Sequence, residues 1–195
     1  MTRKREFDYD QALEQATHLF WKKGYSNTSL RELLAVMGIG EGSFYSIVRS
    51  KKELFVRCLA HYNDTVGLRR LSALNSGTTA SEGIRAFFKV VLDDLDSPET
   101  PRVCLLAGSL AADVLGERDL KKIVVRDMEK FSCCFIARLQ RAKDLGEFGR
   151  DLDVEATAQI LVAYLQGLFR VVRVLHSRSQ VEKQIETLLA GLGLQ

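Results

Sequence analysis

Residues 28–55 read TSLRELLAVMGIGEGSFYSIVRSKKELF, and their pattern predicts the fold of the N-terminal part of the chain. Ser29 and Glu32 have the S-x-x-E spacing of a capping box, so a helix is predicted to begin there. Gly38 stands where a helix ends in a left-handed residue, and Ile39 can pack between two helices. The apolar residues between them have the spacing of one helix face: Leu30, Leu33, Leu34 and Met37.

The helix predicted after the glycine turn has one apolar face and one small, polar face. Phe44, Ile47 and Val48 lie together on the apolar face. The opposite face can approach the edge of a DNA groove closely. Its residues are Glu41, Gly42, Ser43, Tyr45 and Ser46. Residues 29–48 therefore predict a DNA-reading helix-turn-helix.

A second capping box, Ser50 with Glu53, begins the next predicted helix and places two lysines in its first turn. Cations at a helix N-terminus oppose the macrodipole at a cost of about 0.3–1 kcal/mol each. A docked phosphate would offset this cost, because it interacts with the lysines, the free N–H groups and the dipole together. Lys51 and Lys52 therefore predict an anion site, and two solvated lysines are the alternative.

Positive charge is concentrated at the N-terminal end of the 195-residue chain. Residues 1–52 contain nine Lys or Arg and six Asp or Glu, whereas residues 53–195 contain nineteen Lys or Arg and nineteen Asp or Glu. The net charge of +3 therefore lies in the segment with the helix-turn-helix, as nucleic-acid binding favours. Arg3-Lys4-Arg5 is either a basic arm along DNA or a solubilising tail.

Helical periodicity continues through the rest of the chain, and no strand alternation competes with it. A first helix is predicted over residues 9–24, and a long helix from Ser50 toward Leu74 links the two halves. Later helices are predicted at about 81–95, 102–115, 119–145, 153–176 and 180–192. We predict an all-α protein of about nine helices. A three-helix DNA-binding domain over residues 1–52 precedes an antiparallel helical bundle over residues 53–195.

The helix predicted from Asp153 to His176 is apolar nearly all round, so more than one of its sides must be covered. Gly167 costs about 1 kcal/mol relative to Ala in a helix interior, which is understandable if another helix approaches closely. We predict an isologous homodimer through four helices, with a central helix in a monomer as the alternative. The predicted interface residues are Ile160, Ala163, Gly167, Val171, Val181, Ile185, Leu188, Leu189 and Leu192.

Residues 12–54 resemble the N-terminal domain of the tetracycline-repressor (TetR) family of transcription regulators. The matching residues are Ala16, Leu19-Phe20, Gly24-Tyr25, Thr28-Ser29, Gly38-Ile39, Gly42-Ser43-Phe44-Tyr45 and Ser50-Lys51-Lys52-Glu53-Leu54. The chain departs from the family pattern at Leu33-Leu34, Gly40 and Ile47-Val48. The resemblance implies phosphate contacts by the turn after Gly24, by Tyr45 and by Lys51. The predicted DNA-binding residues are Thr28, Ser29, Arg31, Glu41, Gly42, Ser43, Tyr45, Ser46 and Lys51.

The resemblance also implies an apolar effector cavity in the C-terminal half, although plain core packing explains each candidate residue singly. The candidates are Phe87, Phe88, Val91, Cys104, Leu105, Met128, Phe131, Phe135, Tyr164 and Phe169. The expected function is a repressor that binds a palindromic operator in double-stranded DNA as a dimer and is released by a small apolar effector. The alternative is an all-α protein-interaction module without DNA binding.

The sequence contains no recognisable nucleophile–base set, so no enzymatic activity, cofactor or metal is expected. The three histidines, His18, His61 and His176, lack metal-ligand spacing. Asp93-Asp94 is interpreted as solvated charge. The cysteines, Cys58, Cys104, Cys133 and Cys134, form no C-x-x-C motif, so reduced core thiols are expected, with a redox sensor as the alternative. No signal peptide or membrane span is predicted, and a cytoplasmic location is expected.

Overall fold

The computed structural model describes residues 8–110, 112–174 and 177–194, and the regular structure of these residues is entirely helical. The helices are α1 (Tyr9–Lys23), α2 (Leu30–Met37), α3 (Glu41–Ile47), α4 (Lys51–Tyr62), α5 (Leu68–Leu74), α6 (Ala80–Asp96), α7 (Leu105–Gly108), α8 (Ala112–Gly116), α9 (Arg118–Asp144), α10 (Val154–Val171) and α11 (Arg178–Gly191). A π-helical turn, Asn63–Gly67, joins α4 to α5. The all-α prediction is confirmed.

The first three helices and the start of α4 form a small unit that we call the reading head, residues 8–55. Asp8 caps α1 by accepting from Gln11 N at 3.1 Å, and Gly24 ends the helix with a φ of 81°. One apolar side chain from each helix closes the centre of the unit. These buried residues are Phe20, Leu33, Phe44 and Phe55. The inward face of α3 is thereby fixed, and its other face is turned to solvent.

The long linking helix predicted after Ser50 is interrupted by the π turn. Thr65 Oγ1 donates to the carbonyl of His61 at 2.8 Å, and Gly67 is a weak helix former, so regular main-chain bonding is weakest here. After the turn, α5 packs closely on α6. A Cβ on Gly83 would lie 2.2 Å from the carbonyl oxygen of Leu74, so only glycine permits this approach.

The predicted helix over residues 102–115 is wrong, because two short helices, α7 and α8, occupy this segment. Cys104 begins α7 with Sγ accepting from Ala107 N at 3.5 Å, and Ser109 Oγ bonds back to the carbonyl of Leu105 at 2.8 Å. Such local side-chain bonds compete with helix propagation. The other C-terminal helices match their predictions, except that α10 ends earlier, at Val171.

The core of the C-terminal half is aromatic at its centre. The rings of Phe87 and Phe135 lie edge to face at 5.1 Å, and the rings of Phe87 and Phe88 at 5.4 Å. Such pairs favour tight, specific packing over open space. None of the helices in the described part of the chain has the length and apolarity needed to cross a bilayer.

Candidate nucleic-acid interface

Local bonds define both ends of α2 and the turn into α3. Ser29 Oγ accepts from Glu32 N at 3.3 Å, and the Glu32 carboxylate accepts from Ser29 N at 2.9 Å, which completes the predicted capping box. At the other end of α2, Gly38 is left-handed with a φ of 66°, a conformation that other residues adopt only under strain. Ile39 N then bonds to the carbonyl of Leu34 at 3.2 Å and closes the turn.

The outer face of α3 is exposed, small and polar. Phe44 points inward and is buried, whereas the outer-face residues are exposed to solvent: Glu41, Gly42, Ser43, Tyr45 and Ser46. A Cβ added to Gly42 would meet nothing within 4 Å, so the chain's own packing does not require glycine there. The missing side chain instead leaves room for another molecule to approach the backbone of α3.

The predicted contact residues around the start of α2 differ in accessibility. Ser29 and Arg31 are exposed beside α3. Thr28, by contrast, is completely buried, and its Oγ1 donates to the carbonyl of Gly24 at 2.7 Å. This bond stabilises the turn after α1, so the Thr28 hydroxyl is not part of the exposed surface.

Lys51 and Lys52 are adjacent in sequence but have different surroundings. Lys51 Nζ lies 4.5 Å from the centre of the Tyr25 ring, at the edge of the reading head. Lys52 Nζ points toward the C-terminal half, 3.4 Å from Glu117 Oε2 and 3.7 Å from Asp119 Oδ2. The predicted anion site therefore does not describe Lys52, whose ammonium pairs with two carboxylates that are distant in sequence.

One carboxylate in the reading head has a strongly shifted pKa. Hydrogen bonds from Lys23 and then from Ser29 lower the pKa of Glu32 from 4.5 to about 2. Glu32 therefore stays ionised and holds the N-terminus of α2 throughout the neutral range. For Glu53, bonds from the Arg49 backbone and from the Arg57 side chain lower the pKa in the same direction.

A largely buried contact joins the reading head to the C-terminal helices. We call it the seam, and it consists of Trp21, Tyr62, Arg70, Asp94 and Val103. Trp21 Nε1 donates to the carbonyl of Val103 at 2.6 Å, and the Trp21 ring lies edge to face with Tyr62 at 4.9 Å. Tyr62 Oη accepts from Arg70 Nη1 at 3.1 Å. These contacts lead from α1 through α4 to α5, so they set the orientation of the reading head.

Arg70 and Asp94 form a buried ion pair within the seam, with relative exposures of 3% and 4%. Arg70 Nε donates to Asp94 Oδ2 at 2.9 Å, and Arg70 Nη2 lies 2.8 Å from the same oxygen without the alignment of a hydrogen bond. Burial raises the pKa of Tyr62 well above its ordinary value, so the hydroxyl stays neutral beside the guanidinium. The interpretation of Asp94 as solvated charge is wrong, because α5 covers this face of α6.

The ten residues predicted to line an effector cavity are spread over the aromatic core and several separate cavities and grooves. Phe87, Val91 and Phe135 are buried in the aromatic core. Cys104, Leu105 and Phe169 line a cavity beside the seam. The remaining candidates are dispersed: Phe88 lies on a groove between α6 and α11, Tyr164 on one between α10 and α11, Phe131 on one beside the π turn, and Met128 is half-buried on α9.

The predicted dimer residues fall into two groups. Those on α10, namely Ile160, Ala163, Gly167 and Val171, are exposed along one side of the helix. On α11, Val181, Ile185 and Leu189 are buried against the chain's own core, and Leu188 and Leu192 are half-buried. A Cβ on Gly167 would meet nothing within 4 Å, so no neighbour within the chain requires glycine at this position.

The four cysteines are unpaired and differ in exposure. Cys58 and Cys104 are buried and Cys134 is half-buried, but Cys133 is exposed, so the expectation of core thiols is wrong for Cys133. Burial raises the pKa of Cys58 to about 12.

Arg3-Lys4-Arg5 and His176 lie outside the described residues. The described residues contain no cluster of three or more His, Cys, Asp or Glu that could hold a metal ion.

Two family models match the chain. The model described as "Bacterial regulatory proteins, tetR family" matches residues 12–58. The model described as "Tetracyclin repressor-like, C-terminal domain" matches residues 80–188, which is more than half of the chain. The two matches correspond to the reading head and to the helices beyond the linking helix.

Among curated proteins, the uncharacterized HTH-type transcriptional regulator YezE of Bacillus subtilis (strain 168) is 28% identical over 193 residues, covering 98% of this chain and 100% of YezE. The HTH-type transcriptional repressor ComR of Escherichia coli (strain K12) is 27% identical over 177 residues, covering 85% of this chain and 80% of ComR. Among solved structures, a cysteine mutant of the TetR family regulator CifR, complexed with 26-bp double-strand operator DNA, is similar with a TM-score of 0.88. It is 28% identical, over 96% of this chain and 98% of CifR.

Proposed function

This chain belongs to the TetR family of transcriptional regulators, and on that premise we propose that it is a repressor that binds a palindromic operator as a homodimer and releases it when a small-molecule effector binds. The observation that carries the proposal is the likeness to CifR, which was solved on operator DNA and is 28% identical over 96% of this chain. A cytoplasmic regulator without enzymatic activity is part of the same proposal.

The proposed base-reading surface is the outer face of α3. Glu41, Gly42, Ser43 and Ser46 would meet base edges in the major groove, because they are exposed and small enough for α3 to enter it. Ser46 Oγ donates to the carbonyl of Ser43 at 2.7 Å, so its oxygen remains available as an acceptor. Glu41 is placed to accept from cytosine N4.

The proposed phosphate contacts flank this surface. Tyr45 is 52% exposed, and its ring rests edge to face on Phe44 at 5.3 Å, which holds the hydroxyl outward. Ser29 and Arg31 at the start of α2 and Lys51 at the start of α4 complete the set. Such contacts fix register without reading sequence. Thr28 is left out of the proposed contacts, since its hydroxyl stabilises the turn after α1.

We propose that two chains associate through the exposed side of α10, with Leu188 and Leu192 of α11 at its edge. Ile160 and Val171 are 44% and 55% exposed, which is unusual for large apolar residues on one helix face. Gly167 lies between them with open space where a side chain would be, as a closely packed partner helix requires. A dimer would place two copies of α3 in successive major grooves about 34 Å apart.

Under this proposal the chain divides into a DNA-binding domain, residues 1–52, and an effector-binding and dimerisation domain, residues 53–195. The effector would favour a different angle of α4 relative to the C-terminal helices and so change the separation of the two reading heads. It can shift this equilibrium only by its difference in affinity for the two states.

The proposal is tested by selecting duplexes that bind the protein from a random pool and then measuring affinity over a salt series. The selected duplexes should contain an inverted repeat, and log K should fall linearly with log salt, by about 0.9 per phosphate contact. A protein-interaction module would select no duplex and show no such dependence.

Gly42→Asp provides a folded control for this experiment. An aspartate Cβ at this position meets nothing within 4 Å, so α3 should fold normally while a carboxylate blocks the groove-facing surface. Circular dichroism and the dimer mass measured by sedimentation at micromolar concentration should be unchanged, and operator affinity should fall at least about tenfold. Retention of full operator affinity would exclude the outer face of α3 as the reading surface.

A further inference from the structure

The cavity beside the seam has a volume of about 380 Å³ and is lined by both halves of the molecule. We call it the seam cavity. Trp21 and Tyr25 line it from the reading head, and Phe55 lines it from α4. Val103, Cys104 and Phe169 line it from the C-terminal helices. Its volume lies within the range of pockets that bind small molecules, about 300–1,000 Å³.

The buried side chains in the wall of the seam cavity are mostly apolar and aromatic, and Ser26, Asn27 and Ser109 also line the cavity. Phe55 and Phe169 are 1% and 2% exposed, so they form a fixed surface rather than mobile side chains. Trp21 is half-buried, and its only polar atom, Nε1, is committed to the Val103 carbonyl at 2.6 Å. The indole therefore offers the cavity an apolar face. An aromatic or aliphatic body is the chemistry that such a wall binds.

The rim of the seam cavity is positively charged. Lys22, Lys23, Arg170 and Arg173 all line it, and no Asp or Glu is among its described lining residues. Lys23 forms an ion pair with Glu32. Within the described part of the chain, Lys22, Arg170 and Arg173 have no ion pair or hydrogen-bond partner, and all three are exposed to solvent.

The helix dipoles offset only part of this positive charge. Lys22 and Lys23 are in the last turn of α1 and Arg170 is in the last turn of α10, where cations are favourable. Each helix C-terminus carries about half a negative charge, so the two helix ends together offset about one positive charge. The ion pair of Lys23 offsets another, and about two positive charges remain at the rim.

We propose that the seam cavity binds a small organic acid, with its apolar body against the aromatic wall and its carboxylate between Arg170, Arg173 and Lys22. Arginine recognises carboxylates through paired N–H donors, which gives orientation as well as attraction. The proposal names the chemical class and site of the effector and in that respect rests on the proposed function. Binding itself does not depend on DNA.

The position of the cavity explains how its occupant would act on the reading head. An acid held there touches Trp21 and Lys22 on α1 as well as Arg170 at the end of α10. Rotation of the reading head about the seam changes the distance between these groups, so the acid binds one orientation better than the other. That difference in affinity is the free energy available to release DNA.

Trp21 provides a direct measurement, because it is the only tryptophan in the chain and forms part of the cavity wall. Benzoate, octanoate and 4-phenylbutyrate are titrated into the full chain without DNA, each beside its neutral primary amide. At least one acid should change Trp21 fluorescence saturably and bind about tenfold more tightly than its amide. The absence of a saturable change for all three acids, or equal affinity of acids and amides, overturns the proposal.

The double substitution Arg170→Gln with Arg173→Gln should abolish the preference for the acid and leave amide binding unchanged. Both side chains are exposed, so the fold should be retained, and the thermal unfolding midpoint checks this. Arg141→Gln with Arg150→Gln removes the same charge from exposed positions that do not line the cavity and should keep the preference. If the control variant loses the preference for the acid to the same extent, the proposed site is overturned, because the preference then depends only on net charge.

The effector role is separated from binding by repeating the titration on the operator complex. The acid that binds should lower operator affinity, and the arginine double variant should bind operator but no longer respond to the acid. An acid that occupies the cavity while operator affinity is unchanged overturns the effector role. Failure to bind any duplex contradicts the proposed function and leaves the fluorescence result intact.

Discussion

The outer face of α3 and the seam are two polar regions of opposite character. On α3 the polar residues are exposed, and the bonds that build the helix-turn-helix join residues close in sequence, such as Ser29 and Glu32. In the seam the polar groups are buried or half-buried and are bonded across long separations, 24 residues for Arg70 with Asp94 and 82 for Trp21 with Val103. The polar side chains of α3 are therefore accessible to another molecule, whereas those of the seam are bonded mainly within the chain.

This difference predicts that substitutions in the two regions affect different quantities. Changes on α3 and at the start of α4 should alter operator affinity with little effect on stability. Changes in the seam should alter the free energy of unfolding, because a buried charge left without its partner is costly.

The largest expected effect is that of Asp94→Ala. Removal of this carboxylate leaves the guanidinium of Arg70 buried beside Tyr62 without a counter-charge, and should cost about 3–5 kcal/mol in the free energy of unfolding measured by urea denaturation. Asp93→Ala is the matched control, since Asp93 is exposed and its ion pairs with Lys89 and Arg178 should contribute about 0–1 kcal/mol. Equal losses for the two variants would remove the distinction between the seam and the surface.

A smaller effect is expected from Lys51→Ala, measured as operator affinity. Loss of one charge-assisted contact to phosphate should weaken binding by about 1.5–3 kcal/mol for all operator sequences alike and reduce the salt slope by about 0.9. Lys52→Ala should leave the slope unchanged, because Lys52 pairs with Glu117 and Asp119. The reverse result, with the slope altered by Lys52→Ala alone, would assign the phosphate contact to Lys52.

The smallest expected effect is a change in the pKa of Glu32, which is measured by titrating its carboxylate carbon by NMR. Its pKa is lowered from 4.5 to about 2, so its contribution to stability is present above pH 4.5 and is lost as the pH falls toward 2. Lys23→Gln removes the largest cause of the shift and should raise the midpoint toward 4.5. Glu82 is the internal control, because bonds from Thr78 and Thr79 lower its pKa and Lys23 does not. A wild-type midpoint near 4.5 would contradict the ion pair.

The reading head could be predicted almost completely from the sequence. The capping box at Ser29, the left-handed Gly38 and the inward Phe44 are each set by residues no more than four positions away, and the structure has all three. One exception is Lys52, which pairs with Glu117 and Asp119 instead of contributing to the predicted anion site. The other is Thr28, whose burial follows from a bond back to Gly24. From the sequence alone, the Thr28 hydroxyl fits either a phosphate contact or a hydrogen bond within the turn. The position of the end of α1 decides between the two.

The functional features of the C-terminal half could not be predicted from the sequence in the same way. Helix periodicity located α6, α9 and α11, but it could not tell which acid of Asp93-Asp94 faces inward. The predicted effector residues share an apolar character, and packing buries several of them together in the core. The cationic rim of the seam cavity joins Lys22 to Arg173 across most of the chain, and no local pattern links these residues.

The sequence alone determined the helix-turn-helix, the all-helical class and the family resemblance, because helix caps and periodic faces depend on neighbours within about one turn. The packing of the helices, by contrast, places Lys52 opposite Glu117, pairs Asp94 with Arg70, and forms a cavity with aromatic side chains and a basic rim beside Trp21. These features depend on which helix faces pack together. That choice is made by burial and by charge pairing between residues far apart in the chain.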